Sequence, residues 1–237
     1  MAIRIYHGSE NRIERPIYGY GKKYNDYGVG FYCTESIDMA KEWAVGAERS
    51  GYANVYDLNM EGLSELDLNN SEYCMLHWLS VLLQNREFEV SSALAREAKE
   101  YLTLNFSPAY LSADVIRGYR ADDSYFSFAQ DFINGTISYR QLNHAMHLGK
   151  LGMQIVLKSE KAFSQIAFVG TEQADAETWF ARRELRDKSA RRQYFDTERN
   201  HRQRGDIYIT QILDEEMKGN DVRLRQTVSR KNEDRTR

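Results

Sequence analysis

His7, Gly8 and Ser9 close the strand-like opening MAIRIYHGS, and a pair of large aromatics follows at Tyr32 and Trp43. An imidazole at a strand end offers a ring nitrogen. A glycine beside it lets main-chain N–H and C=O groups come close to a flat ligand. The stretch DYGVGFYCTESIDMAKEWA, residues 26–44, alternates Val29, Phe31 and Cys33 with Gly30, Tyr32 and Thr34, which predicts a short strand. Ser36 or Asp38 then caps a helix carrying Met39, Ala40, Trp43 and Ala44 on one side. Tyr32 leaves the strand and Trp43 leaves the helix behind it, so two rings can close on one planar group. Taken singly, each of these residues has a plainer explanation as a core or core-edge side chain.

Other residues invite the same weighing. Gln165 heads the apolar run IAFV and is placed to start a late strand. Asp122 and Asp123 in RADDSYF suit the N-terminus of a helix, where caps and the helix dipole favour carboxylates; the alternative is a place near the cleft. Arg117, Arg120, Arg4 and Arg12 compete for contact with a pyrophosphate. His144 and His147 stand three apart, but no carboxylate or thiol follows at metal-ligand spacing, so no metal site is expected. The run Arg182, Arg183, Arg186, Arg191, Arg192 is mixed with Glu184 and Asp187, as on a solvated helix face; a recruiting surface for an acidic partner is the sharper reading.

The elements that must position these groups are readable along the chain. Strands are predicted at 3–6, 29–34, 52–58, 115–119, 154–157 and 165–169, and a short one within 63–70. Helices are predicted near 37–49, 71–86, 92–105, 123–134, 138–149, 176–203 and 206–218, with Leu76, Leu79, Leu82 and Leu83 as a core stripe. Strands come early and late with helices grouped between them, which makes the fold class α+β. The expected organisation is a domain over 1–170 with helical insertions at 71–107 and 121–150, a helical flank over 171–218 and a flexible tail over 219–237. The 237 residues carry a net charge of −3, with two cysteines and no apolar run long enough to span a membrane. General nucleic-acid or membrane binding and a disulfide framework are therefore disfavoured, and a cytoplasmic protein is the default. The last 67 residues hold 16 Lys and Arg against 14 Asp and Glu, a mildly basic flank on an acidic body.

In combination, HGS followed by GVGFYCTESIDMAKEWA resembles the ADP-ribosyltransferase superfamily of the diphtheria-toxin and poly-ADP-ribose-polymerase type. GYRADDSYF, SQIAF and the Arg- and Asp-rich C-terminal helix resemble, more narrowly, a bacterial family of unknown function within it, over about residues 2–216. The resemblance implies a split central β-sheet and NAD as co-substrate. It implies His7, Tyr32 and Gln165 as the catalytic set, Gln165 replacing a more usual glutamate. Tyr6, His7, Gly8, Ser9, Arg12, Gly30, Phe31, Tyr32 and Trp43 would contact NAD, with Asp122 and Asp123 near the ribose or acceptor. Nicotinamide would stack between Tyr32 and Trp43, Gly8 would pair with its carboxamide, and His7 would hold the adenosine-side ribose. Ala40 stands where polymerase-like members carry a serine, which weakens NAD binding. The implied activity is mono-ADP-ribosylation of a macromolecule through an oxocarbenium-like transition state, as in a bacterial toxin or defence effector. The alternatives are an inactive nucleotide-binding module and a toxin held by a partner protein such as an antitoxin.

Overall fold

The computed structural model describes residues 1–121, 123–148, 152–199 and 201–225. The chain divides into two compact units: Met1–Asp67 with Ala109–Arg120 and Gly149–Arg192, and Leu68–Pro108 with Ala121–Leu148 and Gln193–Arg237. The architecture is α+β with two open sheets.

The first unit contains both sheets. Strands β1 (Ala2–Ser9), β3 (Gly51–Asn59) and β7 (Ile166–Ala174) form an antiparallel sheet in the order β1-β3-β7. Strands β2 (Phe31–Cys33), β4 (Glu65–Asp67), β5 (Val115–Tyr119) and β6 (Met153–Leu157) form the other, ordered β2-β6-β5-β4, with only β4 and β5 parallel. Among the described residues the two sheets are bridged by Tyr6 and Thr34, which exchange main-chain hydrogen bonds of 2.8 and 2.9 Å. Ile5, Phe31, Cys33, Tyr56, Leu58, Val115, Ile155 and Leu157 share one buried cluster, so the two sheets contribute to a common core. Because side chains alternate along a strand, Tyr32 leaves β2 on the face opposite Phe31 and Cys33.

On that opposite face lies helix α1 (Ile37–Ala44), begun by Ser36, whose hydroxyl accepts from Met39 N at 3.3 Å. Two glycines permit its close approach. A Cβ at Gly8 would stand 2.1 Å from Ala40 O, and one at Gly51 would stand 2.2 Å from Ala44 O. Helix α7 (Ala176–Gln193) follows β7 and buries Trp179 against Ala44, Val45 and Ala174. Its arginines turn inward more than a solvated face requires. Arg183 donates to the carbonyls of Glu42 and Val45, and Arg186 lies 3.0 Å from the Glu42 carboxylate with both side chains nearly buried.

The second unit is helical: α2 (Met75–Asn85), α3 (Ala93–Phe106), α4 (Asp123–Ile133), α5 (Tyr139–Ala145), α8 (Ile209–Asp214) and α9 (Val222–Arg225), while α6 (Glu160–Ser164) belongs to the first unit. The predicted leucine stripe of α2 is buried throughout, beside Trp78. The helix expected to reach residue 203 instead changes to a π-helical turn at Tyr194–Arg199, with Tyr194 buried 3.9 Å from Phe128, ring to ring. The division of the chain therefore falls inside the expected flank, after Arg192. Residues 219–225 are not a tail: Leu224 is buried and its carbonyl accepts from Tyr139 Oη at 2.7 Å. Residues 226–237 lie outside the described residues. Among the described residues no helix is long and apolar enough to cross a membrane.

Candidate functional site

The bridge between the sheets ends at Tyr6, and the consequence falls on Gly8. Tyr6 commits its N–H and C=O to Thr34, on the side away from β3. Main-chain groups alternate sides along an antiparallel pair, so those of Gly8 face the same way. Extending the register would bring Tyr32 opposite Gly8. However, the Tyr32 carbonyl already accepts from His7 Nδ1 at 2.7 Å. Among the described residues the Gly8 peptide groups have no main-chain partner on that side. The His7 ring stacks on Phe31 with centroids 4.3 Å apart, and burial lowers its pKa, so it is neutral. With the proton on Nδ1, its Nε2 is left as an acceptor.

Trp43 roots directly above this edge, since a Cβ at Gly8 would lie 2.8 Å from Trp43 Cβ. Its indole carries the Arg120 guanidinium 4.6 Å from the ring centre. Its Nε1 is buried and has no partner among the described residues.

Tyr32 is held by the loop that precedes it. Its hydroxyl donates to Gly28 O at 2.6 Å and accepts from Tyr27 N at 3.0 Å. Lys158, just past β6, clamps the same loop by donating to Tyr27 O at 2.5 Å and Val29 O at 2.6 Å, and Tyr27 Oη donates to Tyr119 O at 2.7 Å. Gly28 adopts φ 72°, a left-handed conformation suited to glycine.

The structure adds a residue that the spacing did not single out. Gln154, second in β6, lies one step past the Val156–Tyr32 register pair, on the Tyr32 face. It is buried, and its Nε2 donates to the buried Asp26 carboxylate at 3.2 Å. Because a carboxylate only accepts, Nε2 faces Asp26 and Oε1 faces away. That Oε1 is buried without a partner among the described residues. A buried polar residue on a mostly apolar strand, MQIVL, was the available signal.

Several expected members stand elsewhere. Gln165 caps α6 (Glu160–Ser164), and its Nε2 donates to Asn59 O at 2.5 Å and Glu61 O at 3.1 Å. Asn59 pairs with Ala2, whereas His7 pairs with Asn54, so Gln165 sits about 17 Å along the sheet from His7 at 3.3 Å per residue. Phe31 faces the core beneath His7 rather than the Tyr32 side. Gly30 is a packing glycine, since a Cβ there would meet Val156 Cγ1 at 2.6 Å. Ser9 Oγ accepts from Asn11 N, and Arg12 lies over the Tyr52 ring at 5.0 Å. Arg117 is engaged by Glu35 at 2.7 Å and Glu65 at 3.1 Å, and Arg4 by Asp57. Tyr6 shares the face of Gly8, half-buried. Asp123 opens α4 in the second unit, and Asp122 lies outside the described residues.

The α+β chain with its two open sheets is matched over residues 3–168 by the model of a family described as a protein of unknown function (DUF3990). The chain belongs to that family. No curated protein and no solved structure matches it.

Proposed function

We propose that the chain is an NAD-dependent mono-ADP-ribosyltransferase and that the open edge of β1 receives the nicotinamide end of NAD. The observation that carries this reading is the Gly8 peptide beneath Trp43, whose outer edge has no main-chain partner among the described residues. An N–H and a C=O on one strand edge complement a carboxamide, which presents the reciprocal pair. Trp43 already stacks on one planar cation, as a pyridinium requires. Two open sheets bridged by Tyr6 and Thr34 support reading them as the halves of a split sheet of the ADP-ribosyltransferase type.

We place the third catalytic role on Gln154 instead of Gln165. Both head late strands, but only Gln154 shares the Tyr32 face and holds an unpartnered acceptor. NAD, when bound, supplies an ADP-ribosyl group with nicotinamide as leaving group: the bond from ribose to the ring nitrogen breaks, a bond to the acceptor forms, and the acceptor loses a proton. Gln154 Oε1 would accept from a ribose hydroxyl and favour the developing positive charge. Asp26 behind it accepts from Nε2 and so fixes which way the amide points, with Oε1 turned outward. His7 Nε2 would accept from the second ribose.

A second reading, nucleotide binding without turnover, is favoured by the neutrality of Gln154. Titration calorimetry with NAD, run beside a nicotinamide-release assay, separates the two. The proposed enzyme binds NAD and releases nicotinamide, and His7→Ala lowers release at least tenfold. Binding with no release selects the second reading, and neither binding nor release rejects both.

A further inference from the structure

Residues 11–25, which join β1 to the loop before β2, present Ile17, Tyr18, Tyr20 and Tyr24 to solvent, at 68, 50, 85 and 67% exposure. Large apolar side chains exposed singly are ordinary, but four within eight residues form a patch that asks for a partner. Arg12, Arg15, Lys22 and Lys23 stand against Glu14 alone, a local charge of +3 in a chain of −3. All four cations are exposed.

The segment is nevertheless not loose. Ile13 N donates to Asn54 Oδ1 at 2.9 Å, and Tyr56 Oη donates to Ile13 O. Tyr20 N closes a turn onto Ile17 O at 3.3 Å, and Tyr18 packs edge-on against Phe163. Gly21 lies so close to Gly30 that a Cβ there would stand 2.6 Å from its carbonyl oxygen. Rings held out from a pinned frame lose little freedom when something stacks on them.

The geometry points to a docking surface for single-stranded nucleic acid, with Tyr20 and Tyr24 as stacking platforms and Lys22 and Lys23 as phosphate contacts. Aromatic faces alternating with cations match unpaired bases and their backbone, whereas a duplex hides its bases. An acidic peptide could use the cations but leaves the rings unexplained. The segment runs from just after β1 to Asn25, next to Asp26, which contacts Gln154, so a strand docked on it lies beside the proposed reaction edge. As an assignment of the acceptor class, this rests on the ADP-ribosyltransferase reading; as a binding surface it stands alone.

Fluorescence anisotropy with labelled dodecamer single strands, DNA and RNA, tests it on the full chain without NAD. The expected result is salt-dependent binding, weakened at least fivefold by each of Tyr20→Ala and Tyr24→Ala. Lys22→Ala with Lys23→Ala should lower the slope of log affinity against log salt by about 1.4. Thermal unfolding unchanged by these exposed substitutions keeps misfolding out of the comparison. No binding at low salt, equal affinity for a duplex, or affinity indifferent to these variants overturns the proposal. Nicotinamide release by the same variants, in the absence of acceptor, should equal wild type. A strand that binds where no nicotinamide is released would sink the enzymatic reading and leave the surface standing.

Discussion

The two ends of the sheet formed by β1, β3 and β7 are built from similar residues and treated differently. At one end Gln165 and Asn59 pair through the main chain, and the Gln165 side chain covers two further carbonyls, so its amide N–H groups are spent. At the other, the pairing of β1 with β2 stops at Tyr6–Thr34, and Gly8 and Trp43 Nε1 keep polar groups without partners among the described residues, as does Gln154 Oε1 on β6 of the neighbouring sheet. Buried polar atoms left unbonded cost roughly 1–3 kcal/mol each. The closed end has its polar groups paired, whereas the open end has donors and an acceptor that no described residue satisfies. The proposed reaction is accordingly assigned to the end where the ladder is broken.

The comparison can be broken by glycine. Gly8→Ala drives a methyl group into the Ala40 carbonyl and should destabilise the protein by about 3 kcal/mol or more. Gly170→Ala, in β7 of the same sheet with nothing within 4 Å, should shift unfolding by under about 0.5 kcal/mol. Equal effects in chemical denaturation would mean that α1 does not press on the edge as described. Lys158→Met tests the clamp on the Tyr27–Val29 loop. Losing charged donors to two carbonyls should cost about 3 kcal/mol.

His7 sharpens the comparison through pH. Its folded-state pKa lies below the unfolded value near 6.5. The unfolded chain therefore takes up its proton first, and stability falls as pH drops from about 6.5 toward the folded value. Above about 6.5 the contribution is complete. Comparing melting temperatures of wild type and His7→Gln between pH 7.5 and 5.5 should show a shallower acid decline in the variant. His77, also lowered by burial, leaves a residual slope in both. A smaller loss than at Gly8 or Lys158 is expected from Arg120→Ala, which uncovers one indole face of Trp43 and should cost about 1 kcal/mol in thermal unfolding.

Local signals were readable from sequence wherever local chemistry decides. Strand 115–119 has the expected bounds, Ser36 caps α1 as its side chain allows, and the leucines of α2 are buried. The short step from β2 to α1 was legible too, but the meeting of Gly8 with the root of Trp43 was not, because it depends on β1 bridging to β2 through Tyr6 and Thr34 and on α1 packing against β1. The glutamines were not separable, because Gln154 and Gln165 both stand where a late strand begins. What distinguishes them is that β6 pairs with β2 while β7 pairs with β3, a matter of sheet order between residues more than a hundred positions apart. The inward turn of Arg183 and Arg186 was hidden for the same reason: a charged run looks solvated until the helix it covers is known.

The most direct test sets the two glutamines against each other. In a nicotinamide-release assay with purified full-length chain, Gln154→Ala should reduce the rate at least tenfold while Gln165→Ala leaves it within twofold of wild type. A wild-type rate lost with Gln165 and kept without Gln154 would contradict the assignment of the open edge, as would a wild type that releases no nicotinamide.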